Sequence, residues 1–257
     1  MRNFLIKMFQ AEGGPEITLF SLWHFMYIVL IVGLTIGLAF ILKGKSQKVK
    51  NTALSILAVA AVAVYIADFF IMPLSRTSGT IDIDKLPFHI CTFISIMIPF
   101  AQFNSRAKGW ASFKEVVSCL AIVSSLMYIT YPGSALGDVG TFSYKVVQTF
   151  VFHGLVFSWG LLSLTTGHSS LHFKNIWKQV IGILIVMVWA TIGNFSYDNY
   201  NWFFLKESIF PFISDALMPL AVFFAVFTMC AIIYLIDLAV KKTIVAITNK
   251  KSKNNIQ

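Results

Sequence analysis

Apolar stretches of roughly 17–25 residues recur along this chain with short polar segments between them, and that is the length a helix needs to cross a bilayer. In hydrocarbon every backbone N–H and C=O must be satisfied by the protein itself, which leaves helices or closed barrels. These stretches are apolar on every side rather than alternating, so they read as helices buried all round or facing lipid. Composition agrees. Of 257 residues, 57% are apolar and 12% charged, against about 45–50% and about 25% in soluble domains.

The length criterion predicts about seven spans, at residues 20–42, 52–72, 87–103, 113–131, 142–165, 176–193 and 219–240. Lysine and arginine orient them. Of the 20 such residues, 14 fall after spans one, three, five and seven, and positive loops stay cytoplasmic. The expectation is an amino terminus outside and a carboxyl terminus inside. Residues 1–247 form one transmembrane helical domain in this reading, and 248–257 a frayed polar cytoplasmic tail. Pro87 can open the third helix. Ser112 and Glu115 have capping-box spacing at the start of the fourth. Trp23 and Trp202 suit an outer interfacial belt, Trp110 and Trp177 an inner one. Residues 211–218 read as a short interfacial helix.

The net charge of +9 first suggests nucleic acid, but charges sorted by membrane side exclude it. Cys91, Cys119 and Cys230 lie in apolar runs, outside any disulfide framework. No cleavable signal peptide is expected, because Glu12 to Glu16 interrupt the first stretch.

Ionisable groups in a membrane must be satisfied or neutralised, so their positions carry information. His24, Asp68, His89, Cys91, His153 and Asn194 all fall toward the outer ends of five spans, with Tyr197 and Tyr200 following Asn194. The inner halves are poorer in such groups. Together these predict a polar pocket opening outward. Plainer roles exist for each: a headgroup-level hydrogen bond for His24, neutralisation of Arg76 by Asp68, a helix cap for Asn194, and interfacial anchoring for the tyrosines.

His89 and Cys91 at the head of the third run are the sharpest signal. A cysteine nucleophile must be a thiolate, favoured by a helix N-terminus and a protonated histidine and opposed by burial. Residues two apart on a helix do not face each other, so His153 is the better base by geometry. His89 then orients substrate or donates to an oxyanion, and Asp68 or Asn194 fixes a histidine tautomer. The chemistry is acyl transfer through a thioester on Cys91. His24, His89, Cys91 and His153 could instead hold a metal, although no pair has compact ligand spacing. A non-catalytic transporter or binding protein would use the same pocket, but matching Gly/Pro-broken spans are not visible. Haem lacks a CxxCH, and a retinal protein would need a lysine within residues 219–240.

The chain resembles the bacterial YwaF-like integral membrane proteins, related to eukaryotic transmembrane protein 164. The matching pieces are LPFHIC at Leu86 to Cys91, VQTFVFHG ending beside His153, the outer His24, and NFSYDNYNWF at Asn194 to Phe203. The resemblance implies a cysteine-dependent acyltransferase that moves a fatty acyl chain between phospholipids. It makes Cys91 the nucleophile and leaves His89 and His153 as matched histidines without assigned roles. The expected protein is therefore an all-α polytopic bundle in the bacterial cytoplasmic membrane. Its partners are membrane lipids, and its reaction needs no cofactor or metal.

Overall fold

A computed structural model describes residues 16–75, 83–104, 109–133 and 137–254. Among the described residues, seven helices make up the bundle: α1 (Leu22–Leu42), α2 (Gln47–Ser75), α3 (Ile90–Phe103), α4 (Trp110–Thr130), α5 (Tyr144–Thr165), α6 (Trp177–Ser196) and α7 (Met218–Asn254). Six are long and apolar enough to cross a membrane, whereas α3 is a shorter apolar helix. Two short antiparallel strands, β1 (Glu16–Ile17) and β2 (Gly137–Gly140), join the segment before α1 to the α4–α5 connection.

The chain alternates direction from helix to helix. At one end, His24 at the start of α1 bonds Ile129 O near the end of α4 at 2.8 Å. Tyr27 donates to Thr141 O just before α5. At the other end, Gln102 of α3 reaches Asn51 O and Ser55 of α2, and Lys241 of α7 reaches Leu171 O after α5. These are called the Cys91 end and the Glu115 end below.

Helix α5 is the most enclosed and packs on α1, α2 and α4. Lipid gives no hydrophobic drive between helices, so close packing of small residues carries the association. A Cβ on Gly160 would lie 2.9 Å from Ser118 O of α4, and one on Gly182 would lie 2.5 Å from Val116 Cγ1. The facing surface of α4 is correspondingly small, with Ser118, Cys119, Ala121, Ser124 and Ser125 all buried. Large apolar side chains such as Leu34, Phe40, Ile56 and Phe195 point outward, as a lipid-facing surface requires.

Several local expectations are corrected. The third helix begins at Ile90, not Pro87, and has 14 residues. The residues before it form a turn, Ile83–Lys85, followed by extended His89 as N-cap. Pro87 stays outside the helix and its carbonyl accepts from Trp189 Nε1 at 2.7 Å. No capping box forms on α4. Its N-cap is Gly109 at φ +90°, a conformation glycine adopts freely. Ser112 accepts from Lys178 Nζ, and Glu115 is buried. Helix α7 continues to Asn254, so the expected frayed tail is helical that far. Within residues 211–218 only the turn Asp215–Leu217 precedes α7. Trp202 is fully buried rather than interfacial.

The Glu115 end is also richer in polar groups than expected. Glu115 accepts from His172 N–H at 2.8 Å, Asn175 Nδ2 at 2.8 Å and Tyr234 Oη at 3.1 Å. Gln179 donates to Tyr234 Oη. This network fastens α4, α6 and α7 to each other.

Candidate functional site

The Cys91 end is built around the turn that precedes α3. Tyr65 of α2 donates to Lys85 O at 2.7 Å. Asp68, three residues on and therefore on the same helix face, meets Lys85 Nζ at 2.9 Å. The turn is thus pinned twice from α2. From the other side, Trp189 and Trp202 donate to Pro87 O and Asp84 O. The Phe88 ring packs on both tryptophans, with centroids 5.3 and 4.9 Å apart. Phe88 also presses on Gly193, where a Cβ would lie 2.5 Å from the ring.

This scaffold delivers His89 and Cys91. Cys91 is buried in the first turn of α3, its sulfur against the N–H groups of Cys91 and Thr92. His153 comes from α5. Its Nδ1 lies 2.8 Å from Thr149 O. A carbonyl only accepts, so Nδ1 carries the proton and Nε2 keeps a lone pair. That Nε2 is buried with no hydrogen-bond partner among the described residues. The ring is held flat against Tyr128 at 3.9 Å and edge-on to Phe152 at 4.9 Å. Lys85 is near enough to act electrostatically on both Cys91 and His153. Tyr65 sits within electrostatic reach of Cys91 and Asp68, and Tyr144 lies beside Asp68.

His89 is engaged on both edges. Its Nδ1 accepts from Phe203 N–H at 3.4 Å, and its Nε2 lies 3.7 Å from Asp84 Oδ1. Hydrogen bonding to His89 holds the Asp84 carboxyl below its ordinary range, with Lys85 and Lys145 assisting against burial. His89 is therefore not poised to take the Cys91 proton, whereas His153 retains an unused acceptor.

The segment after α6 holds Phe203 in place. Asn194 clamps Trp202, accepting from its N–H at 2.8 Å and donating to its carbonyl at 3.0 Å. Asn201 Oδ1 accepts from Lys206 N and Glu207 N. Between these anchors Phe203 and Phe204 adopt φ +58° and +55°. Bulky residues there are outliers, costing on the order of 1–3 kcal/mol each. Tyr200 stacks on Trp202 at 4.7 Å and Tyr197 meets the same ring edge-on at 5.7 Å.

The sequence-predicted residues therefore divide. Asp68 pairs with Lys85, whose charge also reaches Cys91 and His153, and His89 meets Asp84 of the same turn. Asn194, Tyr197 and Tyr200 gather on Trp202 and reach His89 through the backbone of Phe203. His24 stands apart: it accepts from Phe20 N–H at 3.0 Å and donates to Ile129 O. Neither nitrogen is left for a ligand, so the four-ligand metal arrangement is not assembled. Among the described residues no group of three His, Cys, Asp or Glu could hold a metal ion. Arg76, the expected partner of Asp68, lies outside the described residues; Lys85 pairs with Asp68 instead. Sequence reasoning missed Tyr65, Asp84, Lys85, Tyr128 and Tyr144.

The TMEM164 family model matches residues 19–237, a stretch that contains all of these side chains. No curated protein and no solved structure matches the chain.

Proposed function

The chain belongs to the TMEM164 family, and from that premise together with the Cys91 neighbourhood we propose that it is a membrane acyltransferase working through a thioester on Cys91. One observation carries the reading: His153 presents a bare, buried Nε2 while Thr149 fixes its other nitrogen. A lone imidazole acceptor without a partner is what a general base needs, provided the sulfur comes within about 3 Å of it.

In the first step His153 Nε2 takes the Cys91 Sγ proton and the sulfur attacks the acyl carbonyl carbon of a donor lipid. The ester C–O bond breaks, the leaving alcohol oxygen takes the proton back from His153, and the acyl group remains as a thioester. In the second step the hydroxyl of an acceptor lipid attacks that thioester while His153 takes its proton. The C–S bond breaks and Cys91 leaves as the thiol. The bundle supplies a lipid-facing exterior beside this site. The reading sets the Cys91 end in the outer half of a bacterial cytoplasmic membrane. Positively charged loops at the other end support that orientation.

The test is direct. The full chain in nanodiscs, given a phospholipid with an alkyne-tagged acyl chain, should form a hydroxylamine-labile adduct on Cys91 that disappears in Cys91→Ser. A bare Cys91, with Cys91→Ala retaining full transfer, sinks the proposal. Uptake of a solute without any adduct would mark a transporter using the same pocket, and near-stoichiometric zinc or iron a metal-binding role.

A further inference from the structure

Lys85 is the lysine whose charge reaches both the Cys91 sulfur and His153. Of the other lysines at this end, Lys145 acts on Asp84 and Lys206 meets Asp198. Lys85 is fixed through its backbone and through its head. Tyr65 Oη donates to its carbonyl at 2.7 Å, and its Nζ meets Asp68 Oδ2 at 2.9 Å. Tyr65 also packs on Phe152, whose ring meets His153 edge-on. One face of α2 thus sets where the ammonium stands relative to α3 and α5.

Holding the turn does not require a charge. Tyr65 already holds it with a neutral hydrogen bond, and an apolar pair is often as stable as a buried ion pair. Yet Asp68 is buried and the Lys85 side chain is only 24% exposed, and charges kept at membrane depth are expensive. What the pair adds is a cation of fixed position beside a buried thiol. Burial opposes an anionic sulfur, and a neighbouring cation favours it. The N–H groups of Cys91 and Thr92 lie on the same sulfur, so backbone and Lys85 act in one direction. The same charge repels a proton held on His153, which favours its passage to the leaving alcohol oxygen. The remaining ionisable groups around Lys85 and Cys91 are Asp84 and His89 before α3, Tyr65 on α2, and Tyr144 on α5 beside Asp68. Asp84 opposes the cation at the sulfur and is itself engaged by His89.

We propose that Lys85 is the fixed cation of the Cys91 site, stabilising the negative charge that builds on the sulfur, and that Asp68 and Tyr65 are positioning residues acting through it. The proposal deepens the acyl-transfer reading and rests on it for the use made of the thiolate.

The experiment follows alkylation of Cys91 by iodoacetamide against pH, by mass spectrometry on the full chain in nanodiscs, beside thioester formation from the tagged phospholipid. The informative variant is the double substitution Asp68→Asn with Lys85→Gln. Its two amides can still bond each other, so the turn stays pinned and no charge is stranded. Its alkylation profile should move to higher pH by about one unit, the low end of the effect of a nearby opposite charge. At a fixed pH below the midpoint, alkylation and thioester formation should both slow by about tenfold. Lys85→Arg, which keeps the charge, should keep the wild-type profile. An unchanged profile in the double variant overturns the proposal, and so does a profile displaced to lower pH, the direction expected if loosening merely exposed the thiol. A Lys85→Arg chain that behaves like the neutral pair overturns it as well. If the profile moves as expected but wild type forms no thioester, acyl transfer fails and the hold of Lys85 on the thiol stands. If thioester forms and the profile does not move, the reverse holds.

Discussion

The two ends of the bundle both bury polar groups and use them in opposite ways. At the Glu115 end one carboxylate gathers donors from the α5–α6 connection and from α7, with Lys178 Nζ 4.0 Å away. A charge so surrounded is a fastening, since in a low-dielectric interior each donor strengthens its neighbours. At the Cys91 end the helices are pinned just as firmly, yet a histidine acceptor is left over and two aromatic residues hold a strained backbone. A leftover acceptor in an otherwise bonded setting calls for an explanation. Among the described residues buried acceptors without a partner occur at both ends, Gln179 Oε1 and His168 Nε2 at the Glu115 end, Asp68 Oδ1 and His153 Nε2 at the Cys91 end, so in the acyl-transfer reading His153 is singled out by sharing the Cys91 end rather than by lacking a partner.

Substitutions should separate the two ends. The largest effect is expected from His153→Asn, which should slow thioester formation on Cys91 by roughly 10²–10⁴-fold, the usual contribution of a positioned base. Its thermal unfolding midpoint should stay close to wild type. Glu115→Ala should do the reverse. Removing one member of a buried charged network destabilises by roughly 3–5 kcal/mol, here by stranding the Tyr234 hydroxyl and the Asn175 amide. Thermal unfolding in detergent would show that loss, while thioester formation per folded molecule should persist. A Glu115→Ala chain of normal stability that has lost transfer would break the comparison.

Next come two glycines on helix faces. An alanine at Gly160 meets a backbone oxygen, Ser118 O, at 2.9 Å and should lower stability by about 1–3 kcal/mol, the range for overpacking. An alanine at Gly193 meets only the Phe88 ring, which adjoins His89 in sequence. Gly193→Ala should therefore cost transfer more than it costs stability. Equal effects of the two substitutions on transfer would argue that Phe88 does not set the position of His89.

The helices were legible because run length alone identifies a membrane-crossing segment. Local chemistry was less legible. Thr149 and Tyr65 stand at helical spacing from His153 and Asp68, yet neither was read from the sequence, because spacing alone does not say which neighbour a polar side chain bonds. Glu115 was misread because Ser112 and Glu115 look identical whether they cap a helix at the surface or turn inward to a partner 57 or 119 residues away. Pro87 was misread because a proline suits a turn as well as a helix start. The positive φ of Phe203 and Phe204 had no signal at all, since only glycine and asparagine advertise that conformation. The Asp84–Lys85 turn lay directly before LPFHIC and went unnoticed because neither residue lies within an apolar run.

The smallest effect tests the contrast at a second histidine. His168, at the Glu115 end between α5 and α6, also has a buried Nε2 with no partner among the described residues. Burial, and then the charge of Lys114, push its pKa down from 6.5 to about 4, against a bond to Ala101 O. The folded protein thus binds this proton less readily than the unfolded chain. The stability His168 contributes is complete above about pH 6.5 and is lost as pH falls through the window down to about 4. Asp84, at the Cys91 end, is held below the ordinary carboxylate range by His89, so its contribution disappears only at lower pH. Acid softening between pH 6.5 and about 4 should therefore belong in part to the Glu115 end. In His168→Gln the unfolding midpoint should fall less steeply across that window, while Asp84→Asn should leave the slope there unchanged. If Asp84→Asn flattens the slope and His168→Gln does not, the titrating weakness lies with the Cys91 end, and the assignment of acid softening to the Glu115 end is wrong.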